Sequence, residues 1–125
     1  MQDAVGVTRI SAIMLGVRDV PQAIAFYEKT LSLTVVMQET QLALLQCGTV
    51  TLGLSRGHVQ GAPHVAGATE VVFRVENVRA AYRALEALGV AFLTEPHQAT
   101  QTDWVAHFRD VDGHLLSIFG PEGPS

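Results

Sequence analysis

The sequence predicts an α+β fold of two βαβββ repeats, whose curled mixed sheets surround a shared cavity. One observation is internal similarity: "ISAIMLGVRDVPQAIAFYEKTLSLTVV" and "ATEVVFRVENVRAAYRALEALGVAFL" follow the same plan. Val17-Arg18-Asp19-Val20 falls on Val75-Glu76-Asn77-Val78, Ala23 on Ala81 and Glu28 on Glu86. A second is the pattern inside each copy, an apolar strand, a capped amphipathic helix and three further strand-like runs. The third is size: 125 residues with 48% hydrophobic content are enough for one core and argue against two separate domains.

In chain order, repeat one covers about residues 8–56. After its first strand, Asp19 stands where an N-cap carboxylate can accept from free amides, with Gln22 three residues on and Pro21 in the first turn. The helical spacing puts Ala23, Phe26, Tyr27, Thr30 and Leu31 on one face. Strands are expected over 34–39, 41–47 and 49–55. A loop, "RGHVQGAPHVAGA", links the copies, with residues 57–68 as the linker proper. Repeat two covers about 69–120. Asn77 caps its helix, Val78, Ala81, Tyr82, Leu85 and Leu88 form the apolar face, and Gly89 stops it. Strands then follow over 90–95, 102–109 and 114–120.

Charge and composition remove several classes. The formal charge is −4 and no Lys/Arg cluster could follow a phosphate backbone, so nucleic acid is not an expected partner. No apolar run reaches the roughly 20 residues that span a bilayer, and the N-terminus lacks a signal-peptide layout. A cytoplasmic protein without membrane association is the expectation. The single cysteine, Cys47, sits in "LALLQCGTVTLGL" and reads as a small buried hydrophobe.

The strand-to-helix stretch "LGVRDVPQAIAFYEKTLSL", the second-copy "VVFRVENV" and the terminal "FRDVDGHLLSIFG" together resemble the vicinal oxygen chelate superfamily of glyoxalases, bleomycin-resistance proteins and extradiol dioxygenases. The resemblance runs from about Ile10 to Gly120. In metal-dependent members one divalent ion is held by His, Gln or Glu side chains from the first strand of each repeat and a glutamate from the last strand. Those positions fall here on Ala12, Glu70 and Ser117, and a further glyoxalase ligand position falls near Gly53. Only Glu70 can ligate a hard or borderline ion well, and open catalytic centres usually keep three protein ligands. The resemblance therefore implies a metal-free pocket, with no cofactor.

Strand alternation places Met14 with Ala12 on one face, Glu70, Val72 and Arg74 on another, and Leu115, Ser117 and Phe119 on a third. If Asp110 to Gly113 form the turn, Arg109 pairs with His114, and the Ser117 face gains Ala106, Phe108 and Trp104 while His107 and Arg109 point away. The expected ligand-binding set is Met14, Glu70, Val72, Arg74, Trp104, Phe108, Leu115, Ser117 and Phe119, a lining suited to a planar aromatic or cationic molecule.

Each residue has a simpler reading. Glu70 can pair with Arg74 along its own strand or lie exposed, Trp104 can be core or dimer packing, and Tyr27 and Tyr82 read as core residues with rim hydroxyls. His58, His64, His97, His107 and His114 show no ligand spacing, and Asp110 and Asp112 suit local bonding in a D-x-D-G turn better than paired acid/base work. The favoured function is a homodimeric binder of small molecules, antibiotics included, similar to drug-sequestering members of the superfamily. The alternative is a glyoxalase-like metal-dependent lyase, isomerase, dioxygenase or thiol transferase with a non-standard site using Glu70, or metal-free chemistry with Glu70 as general base.

Overall fold

The computed structural model of the chain describes residues 6, 10–57 and 69–124. The linker histidines His58 and His64 therefore lie outside the described residues. Among the described residues two four-stranded sheets form, one per repeat, with no strand pairing between them. The first comprises β1 (Ala12–Gly16), β2 (Thr34–Gln38), β3 (Leu42–Cys47) and β4 (Val50–Ser55), in the order β1-β4-β3-β2. The second comprises β5 (Glu70–Arg74), β6 (His97–Gln98), β7 (Trp104–Arg109) and β8 (Leu115–Gly120), in the equivalent order β5-β8-β7-β6. In each, the first strand lies parallel to the fourth and the other pairings are antiparallel.

The helix after the first strand of each repeat starts as its capping residue dictates. Asp19 accepts from the Gln22 amide at 3.0 Å to begin α1 (Val20–Ala25), and Asn77 accepts from the Ala80 amide at 2.9 Å to begin α2 (Val78–Ala87). Helix α1 runs on into a π-helical turn over Phe26–Thr30, whose Leu31 amide donates to the Phe26 carbonyl at 3.3 Å. Gly89, at φ +99°, ends the second helix as expected.

One continuous core unites the repeats: Val17, Val20, Tyr27, Leu45 and Leu54 from the first belong to the same buried cluster as Val71, Val78, Phe108, Leu116 and Ile118 from the second. The helix-bearing side of each sheet thus supplies the core, and the other side is left more open. There Leu42, Leu44, Leu115 and Phe119 are only half-buried and Val72 is 52% exposed. Among the described residues no helix is long and apolar enough to cross a membrane.

Two expectations need correcting. Residues 90–95 do not form a strand. The Leu93 amide donates to the His107 carbonyl, but the His107 amide turns to the Thr94 hydroxyl at 3.0 Å, and Pro96 has no amide to continue a ladder. The terminal hairpin is also shifted by one residue. Asp110, not Arg109, stands opposite His114, its amide donating to the His114 carbonyl at 3.0 Å. The loop is Val111, Asp112 and Gly113, and Gly113 takes φ +88° as the left-handed third residue of a three-residue hairpin.

Candidate functional site

That one-residue shift reverses the faces of β7. Ser117 pairs with His107, Leu115 with Arg109 and Phe119 with Val105, while Phe108 pairs with Leu116 and Ala106 with Ile118 on the core side. Phe108 is fully buried, and Trp104 packs against the core with the Arg79 guanidinium 5.2 Å from its ring centroid. Neither shares a face with Ser117. In their place the sheet brings His107, which the expected register turns away. The signal for it was present in the Gly that ends a three-residue hairpin loop.

On the open face of the second sheet, β5 aligns Glu70 with Leu115, Val72 with Ser117 and Arg74 with Phe119. β8 lies between β5 and β7, so a contact from β5 to β7 must cross it. Glu70 makes that crossing. Its Oε2 lies 2.8 Å from Nδ1 of His107, and both side chains are less than one-third exposed. A carboxylate only accepts, so Nδ1 carries the hydrogen, and in the neutral form of the ring the lone pair lies at Nε2. Arg74 does not pair with Glu70. It reaches in the same way to Asp103, just before β7, at 3.7 Å. His97, in the edge strand β6, accompanies this face with its ring centroid 5.8 Å from that of His107.

Ser117 is completely buried, and its Oγ has no hydrogen-bond partner among the described residues. A buried hydroxyl without a partner costs about 1–3 kcal/mol, so native chains rarely keep one without a reason. Along β5 an apolar cleft of about 190 Å³ is lined by Ile13, Cys47, Val50 and Leu52 from the first sheet and by Val71, Val72, Phe73 and Arg74. Val72 belongs both to this cleft and to the row of Ser117 and His107. Cys47 is half-buried, and burial pushes its thiol above the ordinary value.

A family model for the glyoxalase/bleomycin resistance protein/dioxygenase superfamily matches residues 9–118. The chain belongs to this superfamily. Solved superfamily structures share its fold. The antibiotic binding protein TnmS3 from Streptomyces sp. CB03234 superposes with a TM-score of 0.78 at 20% identity, over 94% of this chain and 99% of that one. A lactoylglutathione lyase from Agrobacterium tumefaciens superposes with a TM-score of 0.75 at 19% identity, over 91% and 94% of the two chains. A superfamily protein from Nocardioides gives 0.74 at 20% identity, over 98% and 92%. A search of curated sequences found no match.

The residues present do not fit the divalent ion of the superfamily's metal-dependent members. Ala12 has no donor atom, and the space that a side chain at Gly53 would need is filled by the Met14 thioether from the facing strand. Ser117 offers only a neutral hydroxyl, and Glu70 is bonded to His107. Among the described residues no group of three or more His, Cys, Asp or Glu side chains converges on a point. The other two described histidines do other work: His97 Nδ1 lies 2.9 Å from the Glu95 carbonyl and His114 Nε2 lies 2.6 Å from the Gly16 carbonyl.

Proposed function

We propose that this chain is a metal-free small-molecule binding protein that holds an aromatic ligand, antibiotics included, against the open face of its second sheet. The observation that carries the reading is the fate of the four ligand positions: Ala12, Gly53 under Met14, the buried Ser117 hydroxyl, and a Glu70 engaged by His107. Val72, Leu115 and Phe119 supply apolar contact around Ser117, Met14 offers the same from the first sheet, and Arg74 and the Glu70–His107 pair supply direction. The fold likeness to an antibiotic binding protein supports the same class. We place a second copy of the chain over the open sheet faces, because their half-buried leucines and exposed Val72 form apolar surface of the kind that homodimers cover.

Thermal denaturation against a panel of aromatic antibiotics, with elemental analysis of the same untagged protein, tests the reading. Melting temperature is expected to rise with ligand concentration while metal stays below about a tenth of an equivalent. Binding that requires a stoichiometric metal overturns it. A second reading, turnover, is favoured by one feature, the hydrogen-bonded carboxylate and imidazole of Glu70 and His107, which suit general acid-base work. Product formation that disappears in Glu70→Gln would establish it as a lyase, isomerase, dioxygenase or transferase.

A further inference from the structure

Within this binding reading, we propose that His107, held by Glu70, accepts the proton of an acidic ligand hydroxyl, so that the site selects phenols and binds them as phenolates. Glu70 occupies Nδ1, which leaves Nε2 as the basic atom of the neutral ring. Transfer breaks the O–H bond of the ligand and forms an N–H bond at Nε2, and the electron pair stays on the ligand oxygen. Nδ1–H remains donated to Glu70, whose carboxylate stabilises the imidazolium that results. Glu70 is the positioning residue and His107 the proton acceptor.

Three further features point to an anionic oxygen rather than a cation. The Glu70 charge is already engaged by His107. The buried Ser117 hydroxyl, directly opposite His107 in the ladder, is a donor without an acceptor, and an oxygen anion seated at His107 supplies one. The other charged neighbours do not oppose it: Arg74 is paired with Asp103, Arg109 donates to the Gly113 carbonyl at 2.9 Å, and the His97 ring lies beyond His107. Val72, Leu115 and Phe119 provide the apolar bed for the aromatic ring.

The test uses 7-hydroxycoumarin, whose absorption moves to longer wavelength on ionisation, and 7-methoxycoumarin, which cannot ionise, each titrated with the full-length protein across pH. Bound hydroxycoumarin is expected to ionise about one pH unit below the free probe, and correspondingly to bind about tenfold tighter than the ether. In His107→Gln the spectral shift and the preference should both vanish while the ether still binds, and melting temperature verifies the fold. Glu70→Gln, which keeps the shape but removes the charge, should lose the shift as well. Equal binding of both probes without a shift overturns the phenol proposal and leaves the binding reading standing. Failure of both probes to bind overturns it too, and the antibiotic panel then decides whether the binding reading falls with it.

Discussion

Tyr27 and Asp110, 83 residues apart, are joined by a 2.6 Å hydrogen bond in which the phenol donates to the carboxylate. Tyr27 is fully buried, not a core residue with a rim hydroxyl, and the bond ties the first helical segment to the terminal hairpin. The other oxygen of Asp110 accepts from the amides of Asp112 and His114, at 2.9 and 2.8 Å. One carboxylate therefore shapes the turn and fastens it to the other repeat. Arg18 strengthens the junction through the Asp112 carboxylate at 3.1 Å.

Tyr27→Phe removes a buried bond to a charged acceptor and is expected to lower stability by about 2 kcal/mol, measured by urea denaturation. Burial, followed by the charge of Asp110, pushes the Tyr27 phenol far above its ordinary value of 10.0. A raised folded-state pKa means that this contribution is complete below about pH 10 and is lost as pH rises further. The wild type should therefore lose stability above that pH, and Tyr27→Phe should lose less. Parallel alkaline profiles would contradict the assignment.

Asp110→Ala should cost more than Tyr27→Phe, because it also frees two amides of the hairpin loop. A double-mutant cycle is expected to show clear non-additivity, since both changes delete the same bond. Additive losses would mean that the two residues do not interact in solution.

The hairpin register makes opposite demands on neighbouring residues. Phe108→Ala should destabilise by about 3–5 kcal/mol, whereas His107→Ala should cost about 1 kcal/mol or less. The expected register, in which Arg109 pairs with His114 and Phe108 lies on the open face with His107 turned inward, requires the reverse order.

Ser117→Ala deletes a buried hydroxyl that satisfies nothing and leaves almost the same volume, so stability should hold or rise by up to about 1 kcal/mol. A loss greater than that would show that the hydroxyl has a partner in the free protein.

Burial raises the Cys47 thiol from 9.0, which lowers its thiolate fraction near neutral pH. It should react with a disulfide reagent more slowly than a free thiol in the same buffer, and at the ordinary rate once unfolded. Fast reaction in the native state would place it outside the cleft.

Local chemistry made much of the fold legible. Asp19 and Asn77 announce their helices because an N-cap needs only its own side chain and amides two or three residues on. The repeat of strand, helix and strands also survives translation into structure, because each unit hides the same apolar positions from water. The resemblance to the superfamily implies that its ligand positions fall on Ala12, Gly53 and Ser117, and residue type then shows that none of the three offers a charged or imidazole donor.

The site itself depended on facts that residue order does not contain. Whether His107 or Phe108 meets Ser117 turns on a single residue of hairpin register, and a period of two sends every side chain of β7 to the other face for that one step. The partner of Glu70 lies two strands away, across β8, where no spacing along the chain brings the pair together. The sequence by itself determined the repeats and the helix starts. Only the tertiary structure decided which base the remaining carboxylate holds, because that contact is made by sheet order and register acting together.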